Sequence, residues 1–151
     1  MAALINVETS TEVCSVALSL DGKVVWHKEN FDGQSHSVSL AKFIEELMDY
    51  AKKANLNIDG VAVSCGPGSY TGLRIGVSTC KGLCYGMDVP LIAVNTLQTM
   101  ANHVVKSGEV EAGSLLCPMI DARRMEVYTA FFDGGLRQVK ETSADVIDGD
   151  S

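Results

Sequence analysis

Apolar and polar residues alternate or run together in distinct blocks along the chain, and each block predicts an element. "ALINVET" (3–9) reads as a buried strand. "CSVALSL" (14–20) alternates, Asp21-Gly22 makes a hairpin turn, and "KVVWHKE" (23–29) returns, which gives a three-stranded meander. A helix is expected from His36 to Ala54, with Ser35 or Ser37 as N-cap. "IDGVAVSC" (58–65) has few polar side chains, as a central strand covered on both faces would. A glycine-rich loop then leads into a second helix over 72–87, "PLIAVN" (90–95) reads as a strand, and Thr96 caps a third helix ending near Lys106. The order is β-β-β-α-β-α-β-α.

"VKSGEVEAGS" (105–114) is a polar connector and a candidate boundary. Beyond it the opening pattern recurs. Glu8 ends an apolar strand and Asp21-Gly22 follows 13 residues on; Asp121 is followed after 12 residues by Asp133-Gly134, with "MEVYTAFF" between. This is read as an internal structural repeat. The expected organisation is a complete first lobe over 1–108 and the beginning of a second, truncated lobe over 109–151, because the helices of the second copy do not follow.

Composition narrows the class. The chain has 151 residues, 46% hydrophobic and 21% charged, with a net charge of −7, which fits a soluble globular protein. No apolar run approaches the roughly 20 residues of a membrane span. "MAALINVETS" carries no basic leader, so no signal peptide and no membrane association are expected. Tight, independent binding of nucleic acid usually needs a basic face, so work beside RNA would go through a partner that holds the phosphates. Cys14, Cys65, Cys80, Cys84 and Cys117 form no C-x-x-C pair. They read as reduced thiols of a cytosolic protein, with a pair at Cys80 and Cys84, one helical turn apart, as the other reading.

The stretch "SCGPGSYTGLRIGVSTCKG" (64–82) asks whether a phosphate is cradled there. A P-loop needs Gly-Lys, and here Lys81 precedes Gly82. The dinucleotide fingerprint starts with Gly66 and Gly68, but its third position is Thr71 and Gly72 comes one residue late. Gly66-Pro67-Gly68 is instead read as a tight turn. Gly72, Gly76, Thr79 and Gly82 are assigned to one helix face, free of bulk, although each interior glycine costs about 1 kcal/mol relative to alanine. Two readings stand: packing on the chain's own elements, or close approach of a helix from another subunit. In the first helix, Leu40, Ile44, Leu47, Met48 and Ala51 make one apolar stripe, and His36, Phe43, Tyr50 and Ala54 a second. An ordinary surface helix needs one stripe, so the second is a candidate partner contact.

"INVETSTEVCSVAL", "HSVSLAKFIEEL", "VAVSCGPGSYTGLRIGVSTCKGL", "PLIAVNTL" and "IDARRMEVY" together resemble, in order and spacing over residues 3–128, the TsaD/TsaB (YeaZ-like) family of bacterial tRNA threonylcarbamoyladenosine (t6A) biosynthesis proteins. The resemblance implies an α/β, actin-like ATPase (ribonuclease H-like, ASKHA) fold with two duplicated lobes and mixed sheets. It implies a non-catalytic TsaB-type subunit that pairs with the catalytic paralogue TsaD through the first two long helices, here 36–54 and 72–87. The ATPase TsaE joins them, the subunit pairs with itself when TsaD is absent, and tRNA is met only through the complex. No cofactor of its own is implied; ATP and metal belong to TsaD. The implied interface residues are His36, Leu40, Phe43, Tyr50, Gly72, Gly76, Thr79 and Gly82. On this reading Gly76→Leu weakens pairing and leaves the fold intact; unfolding would assign the glycine to internal packing.

TsaD-like enzymes hold a metal through two histidines one turn apart in the first helix. Only His36 fits here, and one turn on stand Ser39, Leu40 and Ala41. His27 and His103 have no paired ligand spacing either. Glu8, Thr9 and Ser10 stand where actin-like ATPases place an acid and hydroxyls near phosphate and magnesium, with Asp121 in the equivalent place of the second copy. Glu8 and Asp121 are read either as turn-stabilising carboxylates or as a vestigial nucleotide site. The family more often has Asp at position 8, which weakens metal positioning. Arg123 and Arg124 either offset Asp121 or touch a partner. The rival functions are a self-contained ATPase or phosphotransferase of the same fold, a glycoprotease-like peptidase, and a bare structural homodimer. For a peptidase, nothing in the sequence brings Ser69 to His36.

Overall fold

A computed structural model describes residues 1–32, 36–108, 110–111 and 113–149. Ser35, one of the two expected caps, and residues 109 and 112 of the connector lie outside the described residues. The chain divides into two compact units.

The first unit comprises residues 1–65 and 69–94. It contains β1 (Ala3–Glu8), β2 (Cys14–Leu20), β3 (Lys23–Asn30), α1 (His36–Lys53), β4 (Gly60–Ser64), α2 (Tyr70–Met87) and β5 (Leu91–Val94). The sheet runs β3-β2-β1-β4-β5. The β1–β2–β3 meander is antiparallel, from Ala3↔Leu20 to Glu8↔Ser15 in its first pair, while β4 lies parallel to both β1 and β5. Asp21 and Gly22 both have positive φ, 47° and 79°, as a two-residue hairpin turn following the sheet's twist requires.

Period-two alternation puts Ala3, Ile5 and Val7 on one face with Val16, Leu18, Val61 and Val63. Leu40, Ile44, Leu47 and Ala51 of α1 and Cys80 of α2 complete this core. Each large aliphatic side chain buried there contributes roughly 1.5–3 kcal/mol. α2 begins two residues before the expected start, because Ser69 caps it by accepting from the Gly72 N–H at 3.3 Å. It ends at Asp88, which takes the left-handed conformation at φ 55°. Ser37 lies inside α1 and therefore is not its cap.

The second unit comprises Gly66–Gly68 and the chain from Asn95 onward. α3 (Thr96–Ser107) packs Leu97 and Ala101 on Ala130 and Phe132 of β8 (Glu126–Asp133). Its cap is Asn95, whose extended backbone lets Oδ1 accept from the Gln98 N–H at 3.1 Å; Thr96, expected as the cap, is the first helical residue. β9 (Gln138–Val146) takes one edge of β8, and β6 (Leu115–Leu116) and β7 (Met119–Arg123) share the other, interrupted at Cys117-Pro118. β7, β8 and β9 thus repeat the antiparallel meander of the first unit.

Candidate functional site

The end of β1 is a densely bonded polar region of the first unit. β1 and β4 run parallel with Val7 opposite Val63, so Glu8 and Ser64 finish their strands side by side. The Ser64 hydroxyl donates to Glu8 Oε2, and the Ser10 N–H donates to Glu8 Oε1 at 2.6 Å. One carboxylate oxygen therefore serves the turn that follows the strand, and the other ties the strand end to the end of β4. Thr9 is fully buried, and its Oγ1 donates to the Gly72 carbonyl at 2.8 Å. The Ser69 N–H donates to Ser10 O at 2.7 Å. Ser10 is also buried, and its Oγ has no hydrogen-bond partner among the described residues.

These contacts explain the helix glycines. A Cβ on Gly72 would stand 2.1 Å from Thr9 O, and one on Gly76 would stand 2.2 Å from Thr9 Oγ1. Real side chains do not approach that closely, so any larger residue must displace the loop or the helix. Gly72 and Gly76 are buried against Thr9 of their own chain, which removes them from the expected partner surface. Gly82 is different: it is exposed, with open space where a Cβ would be. Thr79 is half-buried. The four positions are not one face, because a spacing of ten turns Gly82 far enough around the helix to reach solvent.

The second stripe of α1 is covered from within only in part, and its last member, Ala54, lies exposed beyond the end of the helix. Leu40 is 1% exposed and belongs to the core, so it is not a partner contact. Phe43 and Tyr50 are half-buried and pack against the same core. The Lys28 ammonium of β3 lies 6.0 Å from the Phe43 ring centre and pairs with Glu46. His36 is the first residue of α1, with Nε2 2.8 Å from the Thr11 carbonyl. Among the described residues, no three His, Cys, Asp or Glu side chains group as a metal site would need.

What α1 and α2 do present to solvent was missed by reading their glycines and apolar stripes. Tyr70, Arg74, Ser78, Lys81 and Tyr85 recur at i, i+4, i+8, i+11 and i+15, and all are exposed. Tyr70 is 74% and Tyr85 93% exposed, and the Arg74 guanidinium sits 5.4 Å from the Tyr70 ring centre. Val38, in the first turn of α1, is 71% exposed. The spacing of the two tyrosines was legible; tyrosine and arginine are residues that protein interfaces favour.

Asp121 lies in the second unit and is exposed; its Oδ1 accepts from the Arg123 N–H at 2.7 Å. It stabilises a turn in which Arg123, Arg124 and Met125 all have positive φ, 69°, 56° and 64°. The same unit holds a cavity of about 570 Å³ lined by Met100, His103, Val104, Leu116, Cys117 and Pro118, among others. Cys80 and Cys84 face apolar surroundings. Burial, followed by the neighbouring Cys84, pushes the Cys80 thiol up to about 12, and burial raises Cys84 as well. A thiolate pair is thereby disfavoured at neutral pH.

Comparison with known proteins assigns the family. The family model described as TsaD, tRNA N6-adenosine threonylcarbamoyltransferase, matches residues 30–150. The chain belongs to the TsaD/TsaB (YeaZ) family. Within it, the chain is 33% identical over 144 residues to the tRNA threonylcarbamoyladenosine biosynthesis protein TsaB of Escherichia coli K12, covering 93% of this chain and 61% of that protein. It is 33% identical to TsaB of Bacillus subtilis 168, covering 90% and 58%. The chain thus spans about three fifths of the length of these curated relatives. The solved structure of YeaZ from Pseudomonas aeruginosa superposes with a TM-score of 0.81 at 29% identity, covering 95% of this chain and 67% of that one. A Ppx/GppA phosphatase of Aquifex aeolicus superposes at 0.51 with 9% identity, which shows the fold alone. The α/β, actin-like architecture read from the sequence is therefore the architecture of the TsaD/TsaB family member described here. No helix among its described residues is long and apolar enough to cross a membrane.

Proposed function

We propose that this chain is the non-catalytic partner subunit of a TsaD-containing complex that makes t6A beside the anticodon of tRNAs reading codons that begin with A. The observation that carries this reading is the 33% identity to TsaB over nearly the whole chain. In this reading the partner surface is the exposed face of α2, Tyr70 to Tyr85, with Val38 and His36 at the start of α1. Thr79, Gly82 and the uncovered edges of Phe43 and Tyr50 flank it. The surface differs from the one the helix glycines pointed to, because Leu40, Gly72 and Gly76 are committed to packing inside the chain.

Several further parts belong to the same proposal. Residues 1–108 are proposed as a first actin-like lobe and 109–151 as the opening of a second, with α3 of the first packing among the residues of the second compact unit. TsaE joins the complex, the chain pairs with itself through α1 and α2 when TsaD is absent, and the assembly works in the cytoplasm. ATP and metal are held by TsaD, and tRNA contacts the net-acidic chain only through the complex. Glu8, Thr9 and Ser10 hold the turn after β1, and Asp121 holds the turn after β7. Support for structural roles comes from the filled hydrogen bonds of Glu8 and Asp121.

The test is light scattering on a sizing column, with the chain alone and then with TsaD from the same organism. A homodimer that converts to a one-to-one heterodimer is the expected result. A chain that ignores TsaD, and a mixture with no gain in threonylcarbamoyl transfer, would sink the reading.

A further inference from the structure

One short segment touches the starts of both helices that carry the proposed partner surface. Residues 9–13 join β1 to β2. Three successive residues of this connection bond outward. The Thr11 carbonyl meets His36 Nε2 at 2.8 Å, at the first residue of α1. The Ser10 carbonyl accepts from the N–H of Ser69, the cap of α2, at 2.7 Å. The Thr9 hydroxyl donates to the Gly72 carbonyl in the first turn of α2, at 2.8 Å.

Thr9 also fills the space that Gly72 and Gly76 leave empty over two turns of α2. The fit is close enough that neither partner moves alone. Packed interfaces of this kind shift as units rather than deforming smoothly. Displacing Thr9 therefore displaces the start of α2, including Tyr70 and Arg74 on its outer face, relative to His36 and Val38 of α1.

We propose that Thr9 is a positioning residue for partner recognition: it sets how the first turn of α2 sits against α1, and so tunes affinity for TsaD without touching it. The proposal rests on the partner-subunit reading above. Thr9 is buried, so its effect on binding has to pass through α2.

The experiment measures affinity for TsaD from the same organism, by titration calorimetry, at a temperature where circular dichroism shows every variant folded. Thr9→Val exchanges the hydroxyl for a methyl. A carbon needs roughly 3.3–3.6 Å from a carbonyl oxygen, so the methyl pushes α2 outward by about half an ångström. Thr9→Ser keeps the hydroxyl. Thr9→Val is expected to weaken association roughly tenfold, and Thr9→Ser by no more than about twofold. The amide resonances of Tyr70 and Arg74 should shift in free Thr9→Val and stay in place in Thr9→Ser. Tyr85→Ala, on the outer face, reports on the surface itself. Wild-type affinity in Thr9→Val with weakened Tyr85→Ala overturns the role of Thr9 alone. Wild-type affinity in both overturns the partner surface and the proposal with it. If Thr9→Val does not fold, Thr9→Ala removes the tie without a clash, and wild-type affinity there overturns the proposal as well.

Discussion

Thr9 and Gly76 meet so closely that a Cβ on the glycine would stand 2.2 Å from the threonine hydroxyl oxygen. An interior helix glycine is ordinarily a defect of about 1 kcal/mol relative to alanine. Here the missing side chain is the condition for seating the end of β1 on α2. At Gly72 the obstacle is Thr9 backbone, 2.1 Å from the Cβ position, which has less freedom to yield.

Gly72→Ala and Gly76→Ala are each expected to destabilise the chain by about 1–3 kcal/mol despite the better helix propensity of alanine. Gly82→Ala meets open space on the same helix and should stabilise by about 0.5–1 kcal/mol. Urea unfolding followed by circular dichroism distinguishes the two classes. Equal effects at all three positions would contradict the packing described.

Arg74→Glu and Tyr85→Ala alter the exposed face of α2 and leave the core untouched. Association with TsaD should weaken at least about tenfold in each, with the unfolding free energy within about 0.5 kcal/mol of the parent. Calorimetric titration beside thermal melts makes the comparison. Loss of binding that tracks loss of stability would point away from a surface role.

The thiols should sort by exposure. Cys65 is exposed, whereas Cys14 and Cys80 are buried and their thiols are raised by that burial, Cys80 to about 12. Iodoacetamide near pH 8 should label Cys65 first, and Cys14 and Cys80 only after denaturant is added. Peptide mass mapping over a time course reads the order directly. Early modification of Cys80 would contradict its place in the core.

Asp133 organises the turn into β9. The Arg137 N–H, the Gly135 N–H and the Arg137 guanidinium all donate to its carboxylate and hold it below its ordinary value, with the Arg137 backbone the largest cause. A carboxylate lowered in the folded state adds stability above its unfolded value and loses it as pH falls through the folded one. Proton NMR titration of the Gly135 and Arg137 amides should show them moving together, below the usual aspartate range. Asp133→Asn should abolish that joint titration.

The element order was legible because it rests on local patterns. An apolar run placed β1, alternation placed β2, the Asp21-Gly22 pair placed the hairpin from β2 to β3, and the apolar stripe through Leu40, Ile44 and Leu47 placed α1. Caps were less legible, since Asn95 and Thr96 are both good caps and only backbone geometry chose between them. The acid-to-turn spacing that marked the repeat corresponds to the β7–β8–β9 meander. The family was also written in the chain, chiefly in "GPGSYTGLRIG".

The sequence by itself determined that α2 carries a bare flank, that the first helix has apolar residues beyond one stripe, and that Glu8-Thr9-Ser10 ends a strand. It did not determine what faces those features. A glycine records that something comes close and not whose atoms they are. Only the tertiary structure decided that the atoms at Gly72 and Gly76 belong to Thr9, and that Lys28 and the shared core cover Phe43. Those contacts join residues more than sixty positions apart in the case of Thr9 and Gly72, and no local periodicity encodes them. Burial on the inside then left the outer face, Tyr70 to Tyr85, exposed to solvent.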